Sequence, residues 1–175
     1  MVLDSSLCDK LQELPYPTIR IGEPNLRWAR ILTELFCGQN GEMTAVNQYV
    51  YQHFILGETA AEDAGTIECI AQNEMQHFDL LGKLIYALGG DPKLRVSVSP
   101  RQSVWWNGGW LDYSHIRSTL VNNNIRAEQK AIAAYRSAID LIDDRNIDEI
   151  LERIILDEER HIELFREMLE QADGR

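Results

Sequence analysis

Glutamate and histidine occur three residues apart at two places in the chain, and one further glutamate precedes each pair by a similar distance. The six residues are Glu42, Glu74, His77, Glu128, Glu158 and His161. Side chains three positions apart project from the same face of a helix, about one turn apart. Four helices that turn four carboxylates and two imidazoles inward form the recurring scaffold of dinuclear iron and manganese sites. This spacing therefore predicts redox chemistry at a buried metal pair.

The predicted ligand assignment gives each ion one imidazole and one terminal carboxylate. Glu42 and His77 are expected to hold one ion, and Glu128 and His161 the other. The remaining two glutamates, one in each Glu-x-x-His pair, would bridge both ions. Carboxylates with imidazoles suit two iron or two manganese ions, whereas zinc more often recruits thiolates or a closed tetrahedral set. Open positions between the ions would take dioxygen or hydrogen peroxide.

The helical positions of these residues distinguish a metal site from surface ion pairs. In the last helix, Glu158 and His161 fall on a stripe that is otherwise apolar. Its apolar members are Ile147, Ile150, Ile154, Phe165 and Met168. A charged group on such a stripe is costly to bury unless it is paired or bound to metal. The same anomaly on a second helix makes shared metal binding the economical explanation.

A tyrosine is expected to support one of the carboxylates. Tyr49 lies two helical turns after Glu42 on the same face, so its hydroxyl could hydrogen-bond a ligand carboxylate. The alternative is a plain core tyrosine. His53 shares that face, but it lies about 16 Å from Glu42 along the helix axis, which is too far to bind the same ions. His115 is expected to be an exposed residue at a helix start.

The chain is predicted to be all-α, with an extended arm over residues 1–24 and a single domain, a four-helix bundle, over residues 25–175. Three prolines favour an extended arm, which one short helical turn near Leu7–Leu14 could precede. An amphipathic helix begins at Asn25. The glycines after Cys37 either kink that helix or end it before a new helix that carries Glu42.

The bundle helices are predicted over residues 42–56, 59–88, 114–143 and from 146 onward. Capping boxes at Thr59–Glu62 and Asn146–Glu149 mark two of the helix starts. Residues 90–113 show no helical pattern. An up-down-down-up bundle needs such a crossover because its second and third helices run parallel. The crossover contains three tryptophans, Trp105, Trp106 and Trp110. They are expected to form an oligomer contact or a lid over the site.

Composition excludes several classes of partner. The net charge of −11 argues against nucleic acid and against anionic membrane surfaces. No apolar run is long enough to span a bilayer, and the N-terminus does not resemble a secretory signal. The cysteines are three and widely separated, which predicts a reducing cytoplasm without disulfides, with Cys37 and Cys69 as core or interface residues. The absence of Cys-x-x-Cys excludes a rubredoxin-type iron site in this chain.

Several segments resemble the ligand segments of bacterioferritins. They are Glu42–Tyr49, Asn73–His77, Ala127–Ile132 with Tyr135, and Asp157–Leu164. The stretches Tyr16–Arg20 and Asn25–Arg27, with Gly38–Glu42, are instead similar to the opening of manganese catalases and their spore-coat relatives. Together these segments place the chain in the ferritin-like di-metal superfamily, and the resemblance covers residues 40–90 and 115–170. It implies an up-down-down-up four-helix bundle around a di-iron or di-manganese centre.

Departures from these families bear on the expected oligomeric state, ligand set and cofactor. The stretch after His161 is too short for the extra helix of ferritin cages, so a homodimer or small homo-oligomer is expected rather than a 24-subunit shell. Rubrerythrins carry a further ligand glutamate where this chain has Ala131. Met75 matches the position at which bacterioferritins bind haem across a dimer, but methionine there is also ordinary packing. Haem is not expected.

The sequence thus predicts a di-iron or di-manganese oxidoreductase that acts on dioxygen or hydrogen peroxide, with an unspecified electron donor. Ferroxidase chemistry and catalase or peroxidase chemistry are different outcomes of one such site. The Glu42–Tyr49 segment favours the former, while the N-terminal arm favours the latter. Two alternatives are bacterioferritin-like iron storage and a purely structural bundle that keeps these residues without metal.

Overall fold

The computed structural model describes residues 8, 11, 15–99 and 101–173. Its helices are α1 (Leu26–Cys37), α2 (Glu42–Leu56), α3 (Ala61–Ala87), α4 (Arg117–Leu141) and α5 (Arg145–Asp173). Strands β1 (Arg95–Ser99) and β2 (Gln102–Trp105) and a 3-10 turn at Gly108–Trp110 lie between α3 and α4. Residues 15–24 of the predicted arm contain neither helix nor strand, and most of the arm before them lies outside the described residues.

Helices α2 to α5 form the predicted up-down-down-up bundle. The hairpin of α2 and α3 packs against the hairpin of α4 and α5, and α1 lies across α3. At the start of α4, Arg117 binds Asp63 at the start of α3 and the carbonyl of Met168 near the end of α5. The α3 and α4 starts therefore lie together, so these two helices run parallel while α5 runs the opposite way.

The crossover contains an antiparallel hairpin that the sequence analysis missed, with Val96 opposite Val104. Of its tryptophans, Trp106 donates its indole N–H to Thr44 Oγ1 at 3.0 Å, and Trp110 packs against the bundle core. Trp105 remains 59% exposed. Two of the three tryptophans therefore fasten the crossover to this chain's own bundle.

The break between the first two helices is a stop and a restart. Helix α1 begins after Asn25, whose side chain accepts from two backbone amides of the first turn, and ends at Cys37. At Gly38 and Gly41 a Cβ would collide with carbonyl oxygens of the preceding turn. Only glycine allows the chain to reverse so tightly here, and α2 then begins with Glu42.

Both predicted capping boxes are wrong. Helix α3 begins after Ala60, which makes no side-chain cap, because the chain at Thr59 is still in the turn from α2. Before α5 the cap is Asp144, whose carboxylate accepts from the amides of Asn146 at 2.9 Å and Ile147 at 3.1 Å. A carboxylate one position before the helix competes successfully with the asparagine inside it.

The core consists of two apolar clusters separated by a polar layer. Along α3, buried apolar residues up to Ala71 belong to one cluster, and those from Leu81 onward belong to the other. Helices α4 and α5 change cluster in the same way. Between the clusters lie buried polar side chains from four helices, among them Gln52, Asn73, Glu74, His77, Asn124, Glu128, Asp157, Glu158 and His161. The fold thus places its ionisable groups in one internal layer.

A disulfide joins Cys8 to Cys69 with their Cα atoms 4.9 Å apart. The expectation of a chain without disulfides, with Cys69 as a simple filler, is therefore wrong. Wide separation in sequence does not prevent pairing when the fold brings Cys8 to α3. Cys37 is free and buried, as expected. None of the described helices is long and apolar enough to cross a membrane.

Candidate metal centre

The six residues singled out by their spacing meet in the polar layer. They come from all four bundle helices, and none is more than 3% exposed. Their ligand atoms form two overlapping groups, each within 4.8 Å: Glu42, Glu74, His77 and Glu158, and then Glu74, Glu128, Glu158 and His161. The two groups share Glu74 and Glu158, and the two imidazole centroids lie 6.0 Å apart.

Around His77, three carboxylates converge on one ring nitrogen. Nδ1 lies 3.0 Å from Glu74 Oε2, 3.2 Å from Glu158 Oε1 and 3.8 Å from Glu42 Oε2. Of these three carboxylates, Glu42 belongs to this group alone, while Glu74 and Glu158 belong to both groups.

Around His161 the arrangement repeats. Nδ1 lies 3.0 Å from Glu74 Oε1, 3.1 Å from Glu158 Oε2 and 3.8 Å from Glu128 Oε1. Glu74 and Glu158 each present one oxygen to one histidine and the other oxygen to the second. This is the orientation that a carboxylate bridging two ions requires.

Hydrogen bonding within the layer is incomplete without a cation. Oε1 of Glu74 and Oε1 of Glu158 are buried and accept no hydrogen bond. Each Nδ1 carries at most one proton, yet three carboxylate oxygens surround it. Donor atoms about 3 Å apart also match the edge of an octahedron with bonds of about 2.1 Å, the geometry of a hard divalent ion. The residues therefore fit a pair of such ions.

The electrostatics of the metal-free layer point the same way. Burial, together with the neighbouring carboxylates, raises the pKa of Glu74 and Glu128 well above 4.5. Burial alone would lower the pKa of His77, but the Glu158 carboxylate raises it well above 6.5. Burial opposes ionisation of Glu158, yet His77 and His161 hold its pKa below its usual range. Without metal, the layer keeps protons that cations would displace.

Two tyrosines support the terminal carboxylates by crossing between the helix hairpins. Tyr49 of α2 donates its hydroxyl to Glu128 of α4, one of the carboxylates predicted as a ligand. Tyr135 of α4 donates in the same way to Glu42 of α2. Burial, with the adjacent carboxylates, raises the pKa of both phenols well above 10.0, so both remain donors. Sequence reasoning gave Tyr135 no role, although it follows Glu128 at the spacing that separates Tyr49 from Glu42.

The outer nitrogens of both histidines also have partners that were not predicted. Nε2 of His77 lies 3.1 Å from Asp157 Oδ2, and Nε2 of His161 lies 2.9 Å from Asn73 Oδ1. Each partner immediately precedes the glutamate of the other Glu-x-x-His motif. This equivalent position in the two motifs was the sequence signal that could have identified Asn73 and Asp157 as histidine partners.

A cavity of about 380 Å³ reaches the layer, and neither His77 nor His161 is among its lining residues. Glu42, Glu74, Glu128 and Glu158 line its inner part, together with Tyr49. Its other lining residues include Trp110, Asp112, Arg126, Lys130 and Ala131. A small-molecule path therefore reaches the carboxylates of the layer, and Ala131 is part of its lining.

The remaining singled-out residues lie apart from this layer. His53 Nδ1 contacts the carbonyl of Ala64 at 3.0 Å and Glu68 at 3.6 Å, so it takes no part in the centre, as expected. His115 is exposed and lies 3.4 Å from the Tyr51 hydroxyl. Met75 is 44% exposed, and the expectation that it holds no haem stays a prediction.

The family model for the ferritin-like domain matches residues 38–174. The chain belongs to the ferritin-like domain family. A probable manganese catalase of Clostridium acetobutylicum is 22% identical over 171 residues, which cover 88% of this chain and 75% of the relative. Protein CotJC of Bacillus subtilis is 25% identical over 176 residues, which cover 91% of each chain.

Solved structures agree with this family. The manganese catalase KatB of Anabaena has a TM-score of 0.82 at 27% identity, with 91% of this chain and 78% of that chain covered. A bacterioferritin of Desulfovibrio desulfuricans has a TM-score of 0.69 at 20% identity, with 85% and 81% covered, a likeness that shows the fold alone. The predicted ferritin-like bundle, related to manganese catalases, is thereby confirmed.

Proposed function

We propose that this ferritin-like protein is a di-manganese enzyme that disproportionates hydrogen peroxide. The observation that carries the proposal is the orientation of two carboxylates, Glu74 and Glu158. Each directs one oxygen toward His77 and the other toward His161, and both line a small cavity. The manganese catalases among its relatives support peroxide as the substrate and manganese as the metal. Two molecules of peroxide would yield two of water and one of dioxygen.

The chain's own residues would hold and shield the metal pair. Glu42 with His77 and Glu128 with His161 are the proposed terminal ligands, and Tyr49 and Tyr135 would keep the terminal carboxylates in place. Manganese bound there would supply the two-electron exchange that reduces one peroxide and oxidises another. The cavity admits molecules of that size to the carboxylate face.

The test is dioxygen release from hydrogen peroxide by protein loaded with manganese, with metal-free protein and free manganese as references. Manganese-loaded protein is expected to exceed free manganese by at least about a hundredfold. His161→Gln is expected to lose this activity. His53→Gln, a matched change outside the layer, is expected to keep it. Activity no higher than that of free manganese would contradict the proposal.

Ferroxidase activity is the second candidate, because the Glu42–Tyr49 segment resembles bacterioferritins and the same ligand set suits iron. Anaerobic loading with Fe(II) and a pulse of oxygen distinguishes the two. Oxidation of about two irons per chain that then stops would indicate a resident di-iron cofactor. Continued oxidation of many irons per chain would favour storage.

Cytoplasmic location and a small homo-oligomer remain proposals. The argument for the cytoplasm from unpaired cysteines no longer holds, since Cys8 and Cys69 are paired and disulfides are rare in reducing compartments. Sedimentation of the purified protein would test the oligomer, because a dimer rules out a storage shell.

A further inference from the structure

The N-terminal arm inserts one polar group behind both histidines of the proposed centre. The Tyr16 hydroxyl donates to Asp157 Oδ2 at 2.7 Å and accepts from Asn73 Nδ2 at 3.0 Å. Asp157 Oδ2 also accepts from Nε2 of His77, and Asn73 Oδ1 faces Nε2 of His161. One phenol therefore closes a continuous hydrogen-bond chain from the first histidine to the second.

The polarity of this chain follows from what each group can donate. Asp157 forms an ion pair with Arg153 at 2.5 Å, so its carboxylate only accepts. Tyr16 must then give its single proton to Asp157, and its oxygen can only accept from Asn73. The Asn73 amide is thereby oriented with its oxygen toward His161. Nε2 of both histidines must be the donor, which leaves each Nδ1 free for a metal ion.

We propose that Tyr16 is a positioning residue that sets the orientation and tautomer of both metal-binding histidines from the N-terminal arm. The inference rests on the proposed di-metal function. Helices α3 and α5 supply Asn73 and Asp157, but neither side chain alone determines which way the Asn73 amide turns. Tyr16 determines the orientation of the Asn73 amide and thereby acts on His161, although the Tyr16 hydroxyl does not contact His161.

A purely structural role for Tyr16 is the competing explanation. Its ring packs edge-on to His77 with centroids 6.1 Å apart, and the Arg153 guanidinium lies 4.7 Å above it. Tyr16→Phe keeps both ring contacts and removes only the hydroxyl. A structural anchor would thus be nearly intact in this variant, whereas the hydrogen-bond chain would be cut.

The test compares wild type, Tyr16→Phe and the control Tyr113→Phe, which removes a hydroxyl bonded to Gly108 in the crossover. Manganese affinity is measured by calorimetry, and protein loaded with Co(II) is examined by proton NMR for the exchangeable Nε2–H signals of both histidines. Tyr16→Phe is expected to weaken manganese binding about 10- to 100-fold. It is also expected to shift the Nε2–H signal of His161. The control should change neither.

A double variant separates action through Asn73 from a general loosening of the fold. If Tyr16 acts through this amide, Tyr16→Phe and Asn73→Ala should have non-additive effects on manganese affinity. Wild type that binds two manganese ions while Tyr16→Phe retains its affinity and its His161 signal would overturn this inference alone. Wild type that binds no manganese would overturn the proposed function and this inference with it.

Discussion

Adding manganese should reverse the order of stability between wild type and the Glu74→Gln variant. In metal-free protein, burial and the Glu158 and Glu42 carboxylates raise the pKa of Glu74 well above 4.5, which favours its neutral form, and the amide closely matches that form in shape and charge. The amide also brings N–H donors into a layer where Oε1 of Glu158 accepts no hydrogen bond. An orphaned buried acceptor costs about 1–3 kcal/mol. Metal-free Glu74→Gln should therefore equal or exceed wild type by up to that amount.

Metal should favour wild type instead. At a free manganese concentration about 100 times Kd, one bound ion adds about 2.7 kcal/mol to the free energy of unfolding, and two ions add about 5 kcal/mol. Glu74→Gln should gain little, because one bridging carboxylate has become a neutral amide with a single acceptor oxygen. Loaded wild type should then exceed the loaded variant by about 2–5 kcal/mol.

The assay is urea unfolding of both proteins, with chelator and with manganese. Asp63→Asn is the control, since Asp63 is also buried but pairs with Arg117 at the helix starts. It should lose stability in both conditions and keep the full gain from manganese. This reasoning would be refuted if Glu74→Gln had a lower free energy of unfolding than wild type in chelator and yet gained as much stability from manganese as wild type does.

Three further perturbations test other parts of the structure. Tyr49→Phe leaves the Glu128 carboxylate without its phenolic donor, so calorimetry should show manganese affinity lowered about 10- to 100-fold, and unchanged affinity would contradict this. Cys8→Ser opens the covalent link between residues 61 apart and should lower the free energy of unfolding by up to about 4 kcal/mol; wild type in reductant should match it, and no difference would count against the disulfide. Because folding raises the carboxyl pKa of Glu74 and Glu128 above 4.5, the folded metal-free protein holds protons that the unfolded chain releases. The free energy of unfolding of the metal-free protein should thus fall as pH rises from 4.5 through the raised pKa values, while manganese affinity should rise with pH. Urea unfolding measures the first and calorimetry the second, and a metal-free stability that rises with pH over this range would contradict the prediction.

The bundle and the clustered glutamates and histidines could be predicted because both leave a periodic trace in the sequence. Glu158 and His161 interrupt an apolar stripe, and that interruption is local information. The parallel course of α3 and α4 followed from the long crossover. The β1–β2 hairpin was missed because its strands are only five and four residues long, with polar residues around them.

Contacts between distant elements could not be predicted in this way. Tyr135, Asn73 and Asp157 reach partners on other helices, and Tyr16 comes from an arm that has no periodicity. A hydrogen bond across helices depends on their relative rotation, which the sequence pattern leaves open. The pairing of Cys8 with Cys69 depends on the path of the arm for the same reason.

The most direct test of the central claim is anomalous diffraction from crystals of the manganese-loaded protein. Two manganese peaks are expected in the polar layer, one beside Nδ1 of His77 and one beside Nδ1 of His161. Carboxylate density of Glu74 and Glu158 should span both peaks. A single peak, or manganese bound only at the surface, would contradict a dinuclear centre built from these six residues.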